Sequence, residues 1–302
     1  MVETDQGRRL QGLLHAAERG ASGGGIANRV VRVAVTGTSG LVGGSLVAQL
    51  DAAGHQVVPL TRTMLDLENP ASQSAFSVDG AAYLVHAAAW TDVDGCARNP
   101  ERAMDLNGRA TSRIAARARQ LNARVLYVST NEVFDGVNER PYEESDAPAP
   151  VNPYGASKLA GEAATLAAGA GNVVVRTAWV HDRTRGFPAR IRHAAAGGAL
   201  KVVDDEWGNP TPAADLAAAM IKVLELMALE EAPPIVHLAG EPAVSRYGWA
   251  AAVLAGSGTH VEAIASASFQ RASRVPLRAV LSTALAASLR VPPIRWRVGP
   301  ER

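Results

Sequence analysis

The chain has 302 residues, 47% of them hydrophobic, with 30 basic against 29 acidic side chains and a formal charge of +1. That length supports one large domain or two smaller ones around a sizeable core, and the balanced charge gives no basis for a nucleic-acid or membrane-surface partner. A single cysteine, Cys96, excludes an internal disulfide, the seven histidines form no cluster at zinc-ligand spacing, and no apolar run approaches the ~20 residues that cross a bilayer. A reducing, cytoplasmic setting is expected.

Residues 1–29 read as a flexible extension. Their paired arginines resemble an export signal, but Glu18 and Arg19 interrupt any apolar core, and ASGGG is a glycine linker. The β-branched run at 30–35 predicts a strand, and the spacing of Leu41, Val42, Leu46 and Leu50 predicts the helix that follows. Further strands are expected at 55–60, 82–86, 124–129 and 172–176, with helices over 100–121 and from Pro153. Such alternation, with several strands apolar throughout, implies a doubly wound, Rossmann-like α/β fold whose parallel sheet is covered on both faces. Beyond Trp179 the pattern weakens to a helix at 188–196, the strand LKVV, a helix at 212–227, the strand IVHLA and a tail rich in Arg and Pro.

Between the first strand and helix stands TGTSGLVGG, with Gly37, Gly40 and Gly43 at G-x-x-G-x-x-G spacing. Glycines there allow a tight turn and bring backbone N–H groups to a pyrophosphate at a helix N-terminus. The turn, with Ser39, Leu41 and Val42, is therefore the candidate cofactor site. The second strand ends in Thr61 and Arg62 where an NAD-specific protein places an acid. A guanidinium suits a 2′-phosphate, which favours NADPH over NADH, although Arg62 also reads as a solvated loop charge. Asp66 and Leu67 are placed near the adenine, with helix capping as the other duty of Asp66. The expected organisation is a dinucleotide-binding domain over 30–180, rejoined by about 205–240, and a smaller C-terminal substrate-binding lobe from 181–204 and 241–302.

VNPYGASKLAGE sets Tyr154 four positions before Lys158. On a helix that has begun at Pro153 the two share a face, and an ammonium beside a phenol is expected to lower its pKa from ~10. The bland reading is a half-buried tyrosine beside a solvated lysine.

With these features the chain resembles an extended short-chain dehydrogenase/reductase, and within that superfamily the dTDP-4-dehydrorhamnose reductase family. The matching segments are LVHAAAWTDVDGCARNPERAMDLN, VSTNEVFDGVNERPYEESDAPAPVNPYGASKLAGE, VVRTAWV and VVDDEWGNPTPAADLA. The resemblance implies a catalytic trio of Thr130, Tyr154 and Lys158, with Tyr154 as proton donor to a sugar C4 carbonyl and Lys158 also on the nicotinamide ribose. It further implies that Ala87, Ala88 and Ala89 line the cofactor, that Asn107 braces the local backbone and that Trp179 faces the substrate, core packing being the other reading of that tryptophan.

Two departures stand out. Asn131 and Glu132 follow Thr130 where the family usually has Asp and Tyr, so both are candidate substrate contacts. Thr-Asn-Glu is similar to the Thr-Asp-Glu of nucleotide-sugar 4,6-dehydratases, but Asn131 cannot supply the proton that dehydration needs. Ser45 stands where some members place a carboxylate for an intersubunit metal, so no metal is expected there, and a homodimer stays open. The implied activity is NADPH-dependent reduction of a nucleotide-activated 4-keto-6-deoxy sugar. Two alternatives remain: an epimerase or dehydratase that recycles its cofactor, or a non-catalytic NADP-binding subunit like the regulatory beta subunit of methionine adenosyltransferase. Arg176, Arg190, Arg192 and Arg274 are candidates for the substrate diphosphate by charge alone.

Overall fold

The computed structural model describes residues 31–297, so the extension expected over 1–29 lies outside the described residues. Six strands, β1 (Arg32–Thr36), β2 (Gln56–Leu60), β3 (Tyr83–His86), β4 (Arg124–Thr130), β5 (Val173–Thr177) and β6 (Ile235–His237), form one sheet in the order β2-β1-β3-β4-β5-β6. Every neighbouring pair is parallel. Successive side chains of a strand point to opposite faces, and both faces here are covered. Val33, Val35, Leu126, Val173 and Val175 join the core on one side, while Ala34, Tyr127 and Val174 join the core on the other. This two-sided burial explains why the strands read as continuous apolar runs.

The first core is closed by helices α1 (Leu41–Ala52) and, from much later in the chain, one over Ala213–Ala228 that contributes Leu216, Met220 and Val223. The second is closed by α2 (Ala110–Gln120), through Ile114, Ala115 and Ala118. Helix α3 (Pro153–Ala168) follows β4 and starts on an N-cap from Asn152, whose Oδ1 accepts from Gly155 N at 2.8 Å, with Pro153 in the first turn.

The helix expected over 100–121 is not continuous. It runs as Pro100–Ala103, widens into a π turn at Met104–Arg109 and resumes as α2. At the widening, the Asn107 carbonyl accepts from Thr111 Oγ1 at 2.7 Å and from Tyr127 Oη at 3.4 Å, which offsets the disturbed helix bonding. Two short helices at Pro70–Ala75 and Val93–Arg98, capped by Asn69 and Asp92, were too brief to show a period in the sequence. Outside the main sheet, LKVV pairs in parallel with Val261–Ile264, and Trp207–Gly208 pairs antiparallel with Val244–Ser245. Among the described residues no helix is long and apolar enough to cross a membrane.

Candidate active site

The sheet changes direction between β1 and β3: the chain leaves β1 toward β2 and leaves β3 toward β4. Ligands of doubly wound folds gather at the carboxyl edge of this switch point, and the glycine turn and the HAAA strand end meet there. Gly37 has φ +69, and a Cβ on it would stand 2.8 Å from Ala88 N and 2.9 Å from the Ala87 carbonyl carbon. At Gly43 a Cβ would collide with the Gly37 carbonyl oxygen, so this glycine lets α1 lie directly on the turn. Thr36 Oγ1 ties the two segments together, accepting from Ala87 N and Ala88 N at 3.1 Å each and meeting His86 Nδ1 at 2.8 Å. Burial, then the Lys158 charge, lowers the His86 pKa to about 3, so this ring is a neutral strut.

Asn107 is the brace that the family likeness implied. Its amide accepts from Trp90 N at 2.8 Å, donates to Trp90 O at 3.0 Å and donates to Ser157 Oγ at 3.1 Å, joining the end of the HAAA segment to α3. Arg62 is largely exposed, 3.5 Å from Asp66 and 3.9 Å from Glu68. Asp66 does not cap the next helix: Asn69 does, while Asp66 Oδ1 accepts from Glu68 N.

Thr130 ends β4, and Tyr154 sits in the first turn of α3, both buried. The Thr130 hydroxyl acts on the Tyr154 phenol and favours its ionisation, but burial and the nearby Glu132 carboxyl outweigh it, and the Tyr154 pKa is raised. The lowering expected from Lys158 is therefore not found. Lys158 is 3% exposed; its Nζ donates to Val128 O at 2.7 Å and lies 4.1 Å from the Tyr127 ring centroid. Burial, partly offset by Glu162, pulls the Lys158 pKa down to about 7.

The turn after Thr130 opens on a cavity of about 270 Å³ lined by Asn131, Glu132, Trp179, Arg190, Arg246 and Arg271, among others, while Thr130, Tyr154 and Lys158 are not among its lining residues. All three substrate candidates from the sequence thus face one space. Asn131 is also tied away, its Nδ2 donating to Ala279 O at 2.9 Å. Trp179, at φ +45, combines both of its expected roles: it lines the cavity and stacks on the buried Trp249 with centroids 5.7 Å apart. Arg246 lies 3.6 Å over the Trp179 ring and, with Arg271, pairs with the buried Glu206. Burial lowers the Arg246 pKa to about 10 and raises that of Glu206.

Of the diphosphate candidates only Arg190 reaches the cavity. Arg176 is buried and held by Glu162, through Nε at 3.0 Å and Nη2 at 2.7 Å. Arg246, Arg271 and Glu206 gave no signal in the sequence, because their meeting depends on how the later segments fold back. A larger cavity, about 750 Å³ and lined in part by His237, Pro242 and Val291, holds none of the candidate residues.

The model of the RmlD substrate binding domain matches residues 31–301. A dTDP-4-dehydrorhamnose reductase of Mycobacterium tuberculosis is 38% identical over 283 residues, covering 90% of this chain and 92% of that protein. The chain belongs to the dTDP-4-dehydrorhamnose reductase family. The spore coat polysaccharide biosynthesis protein SpsK of Bacillus subtilis is 30% identical, covering 89% of this chain and 95% of its own. Among solved structures, a dTDP-4-dehydrorhamnose reductase of Clostridium acetobutylicum superposes with a TM-score of 0.82 at 26% identity, covering 89% of this chain and 95% of that one. A dTDP-glucose 4,6-dehydratase of Streptomyces venezuelae shares the fold at a TM-score of 0.73 and 20% identity, over 87% and 92% of the two chains.

Proposed function

We propose that the protein reduces the C4 ketone of a nucleotide-activated 4-keto-6-deoxy sugar with NADPH, dTDP-4-dehydro-L-rhamnose being the simplest substrate. One observation carries this reading: Glu132 bridges the two ends of the site, its N donating to Thr130 Oγ1 at 3.2 Å and its carbonyl oxygen lying against Gly155, next to Tyr154, while it lines one cavity with Asn131 and Trp179. Relatives at 36–38% identity bear the name of that reductase. A Bacillus anthracis enzyme of the same name, 24% identical with a TM-score of 0.80 over 88% of this chain and 95% of its own, carries NADP.

The residues present fit such a cofactor. Gly37 lets the turn lie against the Ala87–Ala88 backbone, the α1 N-terminus offers N–H groups and a partial positive charge to a pyrophosphate, and Arg62 offers a planar cation to a 2′-phosphate. Bound there, NADPH supplies the hydride. Thr130 donates a hydrogen bond that orients the ketone. Tyr154 holds its proton firmly because burial raises its pKa, and it releases that proton only to a strongly basic oxygen, such as one forming from a reduced carbonyl. Lys158, one helical turn on and donating to Val128 O, would hold the nicotinamide ribose. Arg190, Arg246 and Arg271 give the cavity cations for a diphosphate.

The test is a panel of dTDP-linked 4-keto-6-deoxy sugars, following loss of NADPH absorbance and the configuration of the product. NADPH is expected to disappear one-for-one with ketone. Tyr154→Phe is expected to abolish reduction yet bind NADPH as the parent does, since it removes a proton donor and little volume. A hydride recycler would show no net loss of NADPH, and near-normal turnover by Tyr154→Phe would remove the proton-donor role.

A further inference from the structure

The loop over 182–186 lies between the short strand Val180–His181 and the helix Phe187–Ala195, and it reaches back to the glycine turn. Asp182 folds this loop on itself: its Oδ1 accepts from Thr184 N at 2.8 Å, Thr184 Oγ1 at 3.0 Å and Arg185 N at 2.6 Å. Gly186 closes it at φ +91, where a Cβ would press on His181 Cβ at 2.8 Å. The loop therefore holds its shape through its own residues.

That shape aims Arg185. Its Nε and Nη2 meet Asp182 Oδ2 at 3.2 and 3.1 Å, which fixes one edge of the guanidinium. From the remaining nitrogen, Nη1 donates to the carbonyl oxygen of Ser39 at 3.1 Å, a bond that spans 146 positions of sequence. Ser39 immediately precedes Gly40, the N-cap of α1. A planar cation thus stands at the helix end whose N–H groups suit a pyrophosphate, and its side chain is half exposed, so a ligand entering from solvent can reach it.

The Ser39 carbonyl is a weak resting partner for such a cation. It is neutral and exposed, so water replaces the guanidinium there at little cost. A guanidinium bonded to a phosphate oxygen carries charge on both sides, and such bonds are about twice as strong as neutral ones. A phosphate at the turn therefore wins Nη1 from the carbonyl.

We propose that Arg185 is a further cofactor-binding residue, gripping the pyrophosphate of NADPH at the start of α1. The inference rests on the NADPH reading above. Arg185 and Arg62 then divide the cofactor between them: Arg185 serves the pyrophosphate that NADPH and NADH share, and Arg62 the 2′-phosphate that only NADPH carries. Asp182 directs the side chain and also offsets part of its charge, so the grip is modest. The same loop leads into the helix that brings Arg190 to the substrate cavity and packs Phe187 on Trp249 with centroids 4.9 Å apart. The segment that holds the cofactor is thereby continuous with a wall of the substrate site.

The experiment titrates the full chain, without sugar, with NADPH, NADH and ADP-ribose, and reads dissociation constants by calorimetry. Arg185→Ala is expected to weaken each ligand about tenfold at low salt, and Arg185→Lys, which keeps the charge but loses the planar fork, by less. The gap between Arg185→Ala and the parent should narrow in about 0.5 M salt, which screens an exposed charge. Melting of the cofactor-free variants confirms that they are folded. Dissociation constants within about twofold of the parent overturn the proposal. So does a loss confined to NADPH, which moves Arg185 to the 2′-phosphate, and so does a gap that salt leaves unchanged, the sign of a disturbed turn. A parent chain that binds none of these ligands removes the NADPH reading and this proposal with it.

Discussion

Lys158 carries a charge to a position that is 3% exposed, and its pKa of about 7 against 10.5 for a free lysine has a consequence for stability. Between these values the unfolded chain binds more protons than the folded one, so stability rises with pH across that window. The penalty is full below about 7 and is gone above 10.5. A Lys158→Met variant is therefore expected to gain most in melting temperature over the parent near pH 6, with the gap closing toward pH 10; a pH-independent gap would place the ammonium in a solvated site. Arg62 is tested by binding. Arg62→Ala is expected to weaken NADPH about tenfold and NADH little, because only the former carries the 2′-phosphate a guanidinium can grip. Equal losses in titrations of both cofactors would mark a general disturbance of the loop after β2. The pairing of Tyr154 with Lys158 was legible in the sequence because their spacing is local. The direction of the tyrosine shift was not, because it depends on burial and on Glu132, which no i to i+4 rule contains.

Helix α3 presents Tyr154 and Lys158, and its start is set by one side chain. Asn152 caps the helix, holds Glu132 and holds Arg274 O, all from a position 5% exposed. Asn152→Ala removes all three bonds and leaves buried groups unpaired, so a loss of about 2 kcal/mol is expected. Thermal unfolding checks this, and a change under 0.5 kcal/mol, the ordinary scatter of about that size for surface sites, would show that the cap is dispensable. Elements with strong periodicity were readable: β1 with α1, and α3 from Pro153. The π turn at Met104–Arg109 was not, since apolar spacing cannot reveal a widening that surrounds the bonds of Asn107 to Trp90 and Ser157. The meeting of Trp179 with Arg246 escaped for a related reason: the two are distant in sequence and come together only when Val244–Ser245 pairs with Trp207–Gly208.

At the level of the whole molecule, the sheet borrows its last strand from far along the chain. β5 ends at Thr177, yet the strand that covers its outer edge, β6, begins at Ile235, after the helix Ala213–Ala228 has crossed back to pack on α1. Truncation after residue 230 is expected to leave β5 with unpaired backbone groups and to raise the aggregated fraction above that of the full chain, as read by sedimentation of both expressed chains. A soluble, cooperatively melting fragment would show that the first five strands suffice. The sequence hinted at this return through IVHLA, an apolar run of strand length, but its partner strand could be found only from the fold. During synthesis the same arrangement imposes an order of events. A ribosome that has released β5 holds a half-finished edge until some sixty more residues have emerged, and in that interval shielding must come from a chaperone or from the tunnel wall.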